Sequence, residues 1–321
     1  MNALSLRLRV ARRVDEADRI VSVVLERPER APLPSWEPGA HLEVVLPSGT
    51  IRQYSLSGDP REPLSYTLTV QREDGGRGGS AEFHTVAQPG TYLDVRGPRN
   101  NFRLGECGQY LFLAGGIGIT PLRPMIQVTS ERGARWRLVY GGRSRASMAF
   151  AAELAERHPD QVAIVAEDEL SWPDFAAEMA RLGPDAEVYA CGPAGMLDAV
   201  TRAHASAGLP AAVRFERFSA GQPAENRSEP AADREFDVHL ARSDVTVHVG
   251  ADQSVLAAVL AVAPETSFSC EEGYCGTCET KVLEGVADHR DTFLTDDERE
   301  NTNTMMICVS RCAGDRLVLD L

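Results

Sequence analysis

The chain has 321 residues, 43% hydrophobic and 25% charged, with a formal net charge of −14. That size predicts two or three soluble domains with real cores, and the acidic balance disfavours a nucleic-acid surface. No apolar run approaches the roughly 20 residues that a membrane-spanning helix needs, so no membrane insertion is expected.

The first block, 1–105, reads as short strands. Leu4, Leu6, Leu8 and Val10 alternate with Ser5, Arg7 and Arg9, which is strand period rather than the apolar stretch of a signal peptide. Asp15, Glu16 and Asp18 follow at once, against a transit peptide. Val21, Val23 and Leu25 alternate, as do Leu42, Val44 and Leu46, and then Tyr66, Leu68 and Val70. Proline and glycine clusters punctuate these runs, which predicts an antiparallel barrel or sandwich. Within the block, Arg52, Tyr54 and Ser55 sit on a strand. The run 75–80, with Arg77, Gly78, Gly79 and Ser80, precedes a short helix near 81–87. Backbone amides, a hydroxyl and a guanidinium at a helix start make a phosphate nest; a flexible hairpin tip is the alternative.

The second block, 106–218, changes rhythm. Predicted strands at 110–114, 137–140, 162–166, 187–190 and 213–215 alternate with predicted helices at 122–132, 149–157, 174–182 and 195–207. Such alternation marks βαβ units around a parallel sheet. Gly115, Gly116 and Gly118 in G-G-I-G-I-T-P follow a strand and open a helix, so backbone N–H groups can approach a pyrophosphate. Cys191, Gly192, Pro193 and Met196 in C-G-P-x-x-M end a later strand, and Arg143 and Arg145 follow a third. All three loops fall at strand carboxyl ends, where open parallel sheets bind ligands, and together they predict a dinucleotide site. Residues 219–234 read as a linker.

The last block, 235–321, carries 17 Asp/Glu against 6 Lys/Arg, a net of −11, so nearly all the acidity sits here. Such a surface suits either solubility or the steering of a basic partner face. A hairpin near 242–244, a helix at 254–263 and a strand at 316–319 are predicted. Between them, Cys270, Cys275 and Cys278 are spaced C-x4-C-x2-C, with Cys308 further on. That is the plant-type arrangement for a 2Fe-2S cluster, in which each iron takes two thiolates besides the shared sulfides. A disulfide pair or zinc knuckle is the alternative; zinc sites more often repeat a short C-x2-C pair. Seven cysteines, four of them in a metal pattern, suit a reducing cytoplasm better than a disulfide framework.

In order along the chain, R-x-Y-S, G-R-G-G-S, G-G-I-G-I-T-P, C-G-P-x-x-M and C-x4-C-x2-C resemble the phthalate dioxygenase reductase family over essentially the whole sequence. The resemblance implies a multidomain α+β protein: an antiparallel β-barrel flavin domain, a parallel α/β nicotinamide-binding domain and a C-terminal β-grasp ferredoxin domain. It implies FMN rather than FAD, with Arg52, Tyr54 and Ser55 holding the flavin and Val70 lining its ring. Arg77, Gly78, Gly79 and Ser80 would bind the FMN phosphate. Thr120 would lie between flavin and nicotinamide, Cys191 near the nicotinamide ring, and Phe218 over the flavin face. C-V-S-R at 308–311 favours Cys308 over Cys312 as fourth ligand. NADH is the implied donor, with NADPH left open by Arg143 and Arg145.

The expected role is to pass electrons from the nicotinamide through FMN and the cluster to a terminal Rieske non-haem iron oxygenase. That oxygenase would act on an aromatic or small carboxylated compound, demethylation included. No side chain is expected to move a proton as acid or base, and the protein is expected to be a monomer. The alternatives are a haem-thiolate monooxygenase as acceptor, or a redox sensor in which turnover is incidental. His289 in D-H-R-D reads as loop structure, with partner docking a minor alternative.

Overall fold

The computed structural model describes residues 4–74, 78–172, 174–208, 213–218, 234–268, 270–294 and 296–321. Arg77 of the expected phosphate nest and 219–233 of the expected linker lie outside them. The chain forms two compact units, one running to Arg217 and the other from Phe218 to Leu321.

The first unit opens with β1 (Ser5–Ala17), β2 (Ile20–Glu26), β3 (Ala40–Val45), β4 (Ile51–Ser55), β5 (Ser65–Gln71), α1 (Gly79–Val86) and β6 (Tyr92–Asn100). The six strands pair antiparallel in the order β4-β3-β6-β1-β2-β5. A bridge from Leu56 to Leu68 joins the two ends, and Ser57 N–H donates to Thr67 O at 2.9 Å, so the sheet closes into a barrel. The alternation predicted from sequence supplies its filling. Leu8, Val10, Val23, Leu25, Leu42, Val44, Leu68 and Val95 all face one apolar core.

The same unit continues with β7 (Gln109–Gly115), α2 (Ile119–Glu131), β8 (Arg135–Gly142), α3 (Ala151–Arg157), β9 (Val162–Ala166), α4 (Phe175–Met179), β10 (Ala186–Cys191), α5 (Ala194–Ala207) and β11 (Val213–Glu216). The five strands are all parallel, ordered β11-β10-β7-β8-β9. They are continuous apolar runs because helices cover both faces. Helix α2 starts three residues before the predicted position, since Pro121 is tolerated in a first turn, where its missing N–H is not needed. Helix α4 is shorter than predicted; Asp174 Oδ1 caps it by accepting from the N–H groups of Ala176 and Ala177. Barrel and sheet are fastened by Arg123, which donates to Ser57 O at 2.7 Å, pairs with Glu153 and lies 4.6 Å over the Phe150 ring.

The second unit contains β12 (Phe236–Leu240), β13 (Val245–Val249), α6 (Val255–Leu260), β14 (Glu279–Glu284), β15 (Ala287–Asp288), α7 (Asp296–Asn301), β16 (Thr304–Met306), β17 (Arg311–Cys312) and β18 (Arg316–Leu319). Its main sheet runs β13-β12-β18-β14-β16, with β12 and β18 parallel and the other pairs antiparallel. Helix α6, capped by Ser254 Oγ, packs its buried Val255, Leu256 and Val259 into that unit's core. Helix α7 is not among the predicted elements, because D-D-E-R-E-N has no apolar face to read. Among the described residues no helix is long and apolar enough to cross a membrane.

Candidate cofactor sites

In the second unit, Cys270, Cys275, Cys278 and Cys308 are all buried, at 4, 8, 4 and 8% exposure. None of the seven cysteines is in a disulfide. Cys270 lies within sulfhydryl reach of Cys275 and Cys308, and Cys278 within reach of Cys308. These contacts hold Cys270, first through Cys275, and Cys278, through Cys308, toward the thiolate, and hold Cys275 and Cys308, each first through Cys270, toward the thiol. The loop folds this way because Gly273 and Gly276 both adopt φ +74°. A Cβ on Gly276 would meet the Phe293 ring at 2.5 Å, and one on Gly273 would meet Val309 Cγ2 at 2.5 Å. Glu272 N–H points at Cys270 Sγ across 3.4 Å, and Thr277 Oγ1 lies 3.4 Å from Cys275 Sγ. Cys312 turns elsewhere, toward Arg316 O at 3.4 Å. Among the described residues no three His, Cys, Asp or Glu side chains close on one ion-sized point. Four soft donors within reach of one another, with backbone N–H on sulfur, fit a diiron cluster, which takes two thiolates on each iron.

In the first unit, the glycine motifs meet. A Cβ on Gly118 would lie 2.1 Å from Cys191 O; one on Gly115 would lie 2.6 Å from Met196 Sδ and 2.7 Å from Pro193 Cδ. A Cβ on Gly192 would be 3.0 Å from Gly115 Cα. The carboxyl ends of β7 and β10 are therefore in backbone contact, and only glycine permits that spacing. Gly116, at φ +54°, has open space at its Cβ position. Thr120 is buried and donates to Ile117 O at 2.9 Å within its own turn. Arg143 is exposed at the end of β8. Arg145 Nε stands 3.0 Å from both carboxylate oxygens of Glu169.

On the barrel, Arg52 lies against α1: the Cβ position of Gly79 is 2.5 Å from its Nε. Gly78 caps α1 in the left-handed region at φ +80°, and Ser80 Oγ accepts from Glu73 N–H at 3.0 Å. Tyr54 packs its ring 4.9 Å from that of Phe83. Its hydroxyl is buried with no hydrogen-bond partner among the described residues, and burial raises its pKa. An orphaned buried hydroxyl is costly unless a bound group satisfies it. Val70 is 2% exposed on β5. Phe218 is 37% exposed and is the first residue of the second unit.

The sequence reading missed Glu216. At the end of β11 it stands in register with Cys191, and Ser55 Oγ donates to its Oε2 at 3.4 Å. Burial raises the Glu216 carboxyl to about 8, opposed by the Ser55 hydrogen bond. Burial, then the Glu216 charge, also pushes the Cys191 thiol well up, so that thiol is neutral. The only signal in the sequence was position: a lone carboxylate ending a strand on the ligand-binding edge.

Comparison with known proteins agrees with this geometry. The 2Fe-2S iron-sulfur cluster binding domain matches residues 238–313, and the oxidoreductase NAD-binding domain matches 112–202. This fold and these sites define a nicotinamide-linked iron–sulfur oxidoreductase. The phenoxybenzoate dioxygenase subunit beta of Ectopseudomonas oleovorans is 42% identical, with 95% of this chain and 94% of that protein covered. The phthalate dioxygenase reductase of Burkholderia cepacia is 36% identical, with 98% and 97% covered. A solved phthalate dioxygenase reductase, described as a modular structure for electron transfer from pyridine nucleotides to [2Fe-2S], superposes with a TM-score of 0.73 at 35% identity. That match covers 99% of this chain and 98% of the other. An intact type IV self-sufficient cytochrome P450 monooxygenase superposes at 0.86 and 39% identity over 99% of this chain, which spans 41% of that longer protein. The chain belongs to the phthalate dioxygenase reductase family.

Proposed function

We propose that the protein takes electrons from NADH and delivers them one at a time to a terminal Rieske non-haem iron oxygenase. The flavin, when bound, accepts a hydride pair, and the 2Fe-2S cluster carries single electrons, so together they convert two-electron into one-electron transfer. The chain is read as an FMN barrel over 1–105, a nucleotide domain over 106–218, a linker over 219–234 and a ferredoxin domain over 235–321. Cys270, Cys275, Cys278 and Cys308 hold the cluster. The closed pair of glycine motifs, with Gly115, Gly116, Gly118, Gly192, Pro193 and Met196, seats the pyrophosphate and nicotinamide, and Arg143 offers a cation to the nucleotide. Arg52, Tyr54, Ser55 and Val70 line the flavin, and Gly78, Gly79 and Ser80 receive its phosphate at the start of α1.

The work of these residues is to position and exclude. Neutral Cys191 presents no fixed charge to a nicotinamide ring, and Ser55 holds the half-buried Glu216 beside it. Gly118 and Gly192 let the loops after β7 and β10 touch at backbone distance. The observation that carries the reading is the set of four buried sulfurs, three on a glycine-wound loop and the fourth brought within reach of them. Four of the seven cysteines in a metal pattern support a reducing, cytoplasmic setting, and the acidity around them supports docking to a basic partner face. The experiment is NADH-driven turnover of an artificial one-electron acceptor by the flavin-loaded, cluster-loaded protein. Rapid reduction is expected; negligible turnover favours a redox sensor.

A second reading, delivery to a haem-thiolate monooxygenase, is favoured by the likeness to the self-sufficient cytochrome P450. Side-by-side turnover with a Rieske oxygenase and with a P450 as acceptor separates the two.

A further inference from the structure

The strap from β15 to Leu294 carries a carboxylate that is completely buried: Asp291 has 0% exposure. Its Oδ1 accepts from Ser310 Oγ at 3.2 Å, and its Oδ2 accepts from Leu294 N–H at 2.9 Å. Arg299 of α7 donates to Asp291 O at 2.5 Å and lies 4.0 Å from Oδ2, and His289 Nδ1 lies 3.6 Å from Oδ1. Ser310 Oγ in turn accepts from Arg290 N–H at 3.1 Å. Ser310 is two residues beyond Cys308. On its other side the strap meets the three-cysteine loop: Thr292 N–H donates to Gly273 O at 2.9 Å. A Cβ on Gly273 would lie 3.0 Å from Asp291 Cα and 3.2 Å from Asp291 Cβ. Gly273 falls between Cys270 and Cys275. One buried carboxylate thus joins the loop bearing three thiols to the segment bearing the fourth.

Burying a charge costs several kcal/mol even when it is paired, and an apolar side chain of like volume often does as well for stability alone. The bond to Leu294 N–H explains a local turn, but a turn needs neither burial nor the bond to Ser310. What the network does is tie the segment two residues beyond Cys308 to the three-cysteine loop.

We propose that Asp291 is a positioning residue of the iron–sulfur centre, setting the spacing of Cys308 from the three-cysteine loop and adding a buried negative charge beside it. This rests on the reading that the four thiols hold a 2Fe-2S cluster. Outer partners of metal ligands orient those ligands and tune the centre, and negative charge near a cluster lowers its reduction potential.

The test uses the full-length, cluster-loaded protein and its Asp291→Asn and Ser310→Ala variants. Iron and sulfide content, visible circular dichroism, loss of absorbance under an iron chelator and the midpoint potential are measured. Both variants are expected to lose the cluster about tenfold faster or more than the wild type. Asp291→Asn is expected to shift the midpoint potential upward, because it keeps the shape and removes the charge. Ser310→Ala, which keeps the charge, should shift it less. An Asp291→Asn protein that keeps its cluster as long as the wild type and titrates at the same potential overturns the proposal. If Asp291→Asn fails to load, Ser310→Ala decides: a wild-type rate of loss overturns the proposal, and faster loss supports it. A wild-type chain that takes up no iron removes the metal centre itself, and this role with it.

Discussion

Ser55 Oγ donates to Glu216 Oε2 across 3.4 Å, joining the end of a barrel strand to the end of a strand in the parallel sheet. The bond lies beside the neutral thiol of Cys191, where flavin and nicotinamide are proposed to meet.

Glu216 holds its proton up to about 8, against an ordinary carboxyl value of 4.5, chiefly through burial. The unfolded chain ionises first, so the native state binds the extra proton and stability falls as pH rises from 4.5 through about 8. Glu216→Gln removes that loss. Melting curves should show the variant gaining on the wild type as pH rises between about 5 and 9, and matching it at the acid end. A pH-independent difference contradicts the assignment.

Tyr54 carries a buried hydroxyl with no partner among the described residues. Tyr54→Phe should therefore leave the flavin-free protein as stable or more so. It should also weaken FMN binding by about 0.5–1.5 kcal/mol, one ordinary hydrogen bond. Melting without flavin and a fluorescence titration with FMN check the two halves separately.

Gly118 has no room for a methyl group, since its Cβ position is 2.1 Å from Cys191 O. Gly118→Ala should cost about 1–3 kcal/mol of stability by overpacking and raise KM for NADH as the two glycine loops separate. Steady-state kinetics and thermal melting report both effects.

Residues 235–321 carry a net charge of −11, so docking to a basic face should weaken as salt shortens the screening length below about 8 Å. Turnover with the partner oxygenase is expected to fall with ionic strength while flavin reduction by NADH holds steady. A flat response removes the steering role.

Much of this was legible in the sequence because the relevant patterns are local. The C-x4-C-x2-C spacing and the alternation around Leu42, Val44 and Leu46 each need only a few neighbouring residues to read. The short glycine loops are local too, yet their contact is not: nothing in the sequence places Gly118 against Cys191 O. Glu216 and Asp291 escaped for the same reason. Each is a single carboxylate whose meaning comes from burial and from a partner distant in sequence, Ser55 in one case and Ser310 in the other. Helix α7 escaped because a polar helix carries no periodic apolar signal.

The most direct test is anaerobic mixing of NADH with the FMN-loaded wild type and with Cys275→Ser, following flavin absorbance and the electron paramagnetic resonance of reduced iron. The account predicts that the flavin bleaches in both proteins, while the reduced-cluster signal develops only in the wild type. A folded, FMN-loaded Cys275→Ser protein whose flavin stays oxidised, or a wild type that shows no cluster signal, would contradict it.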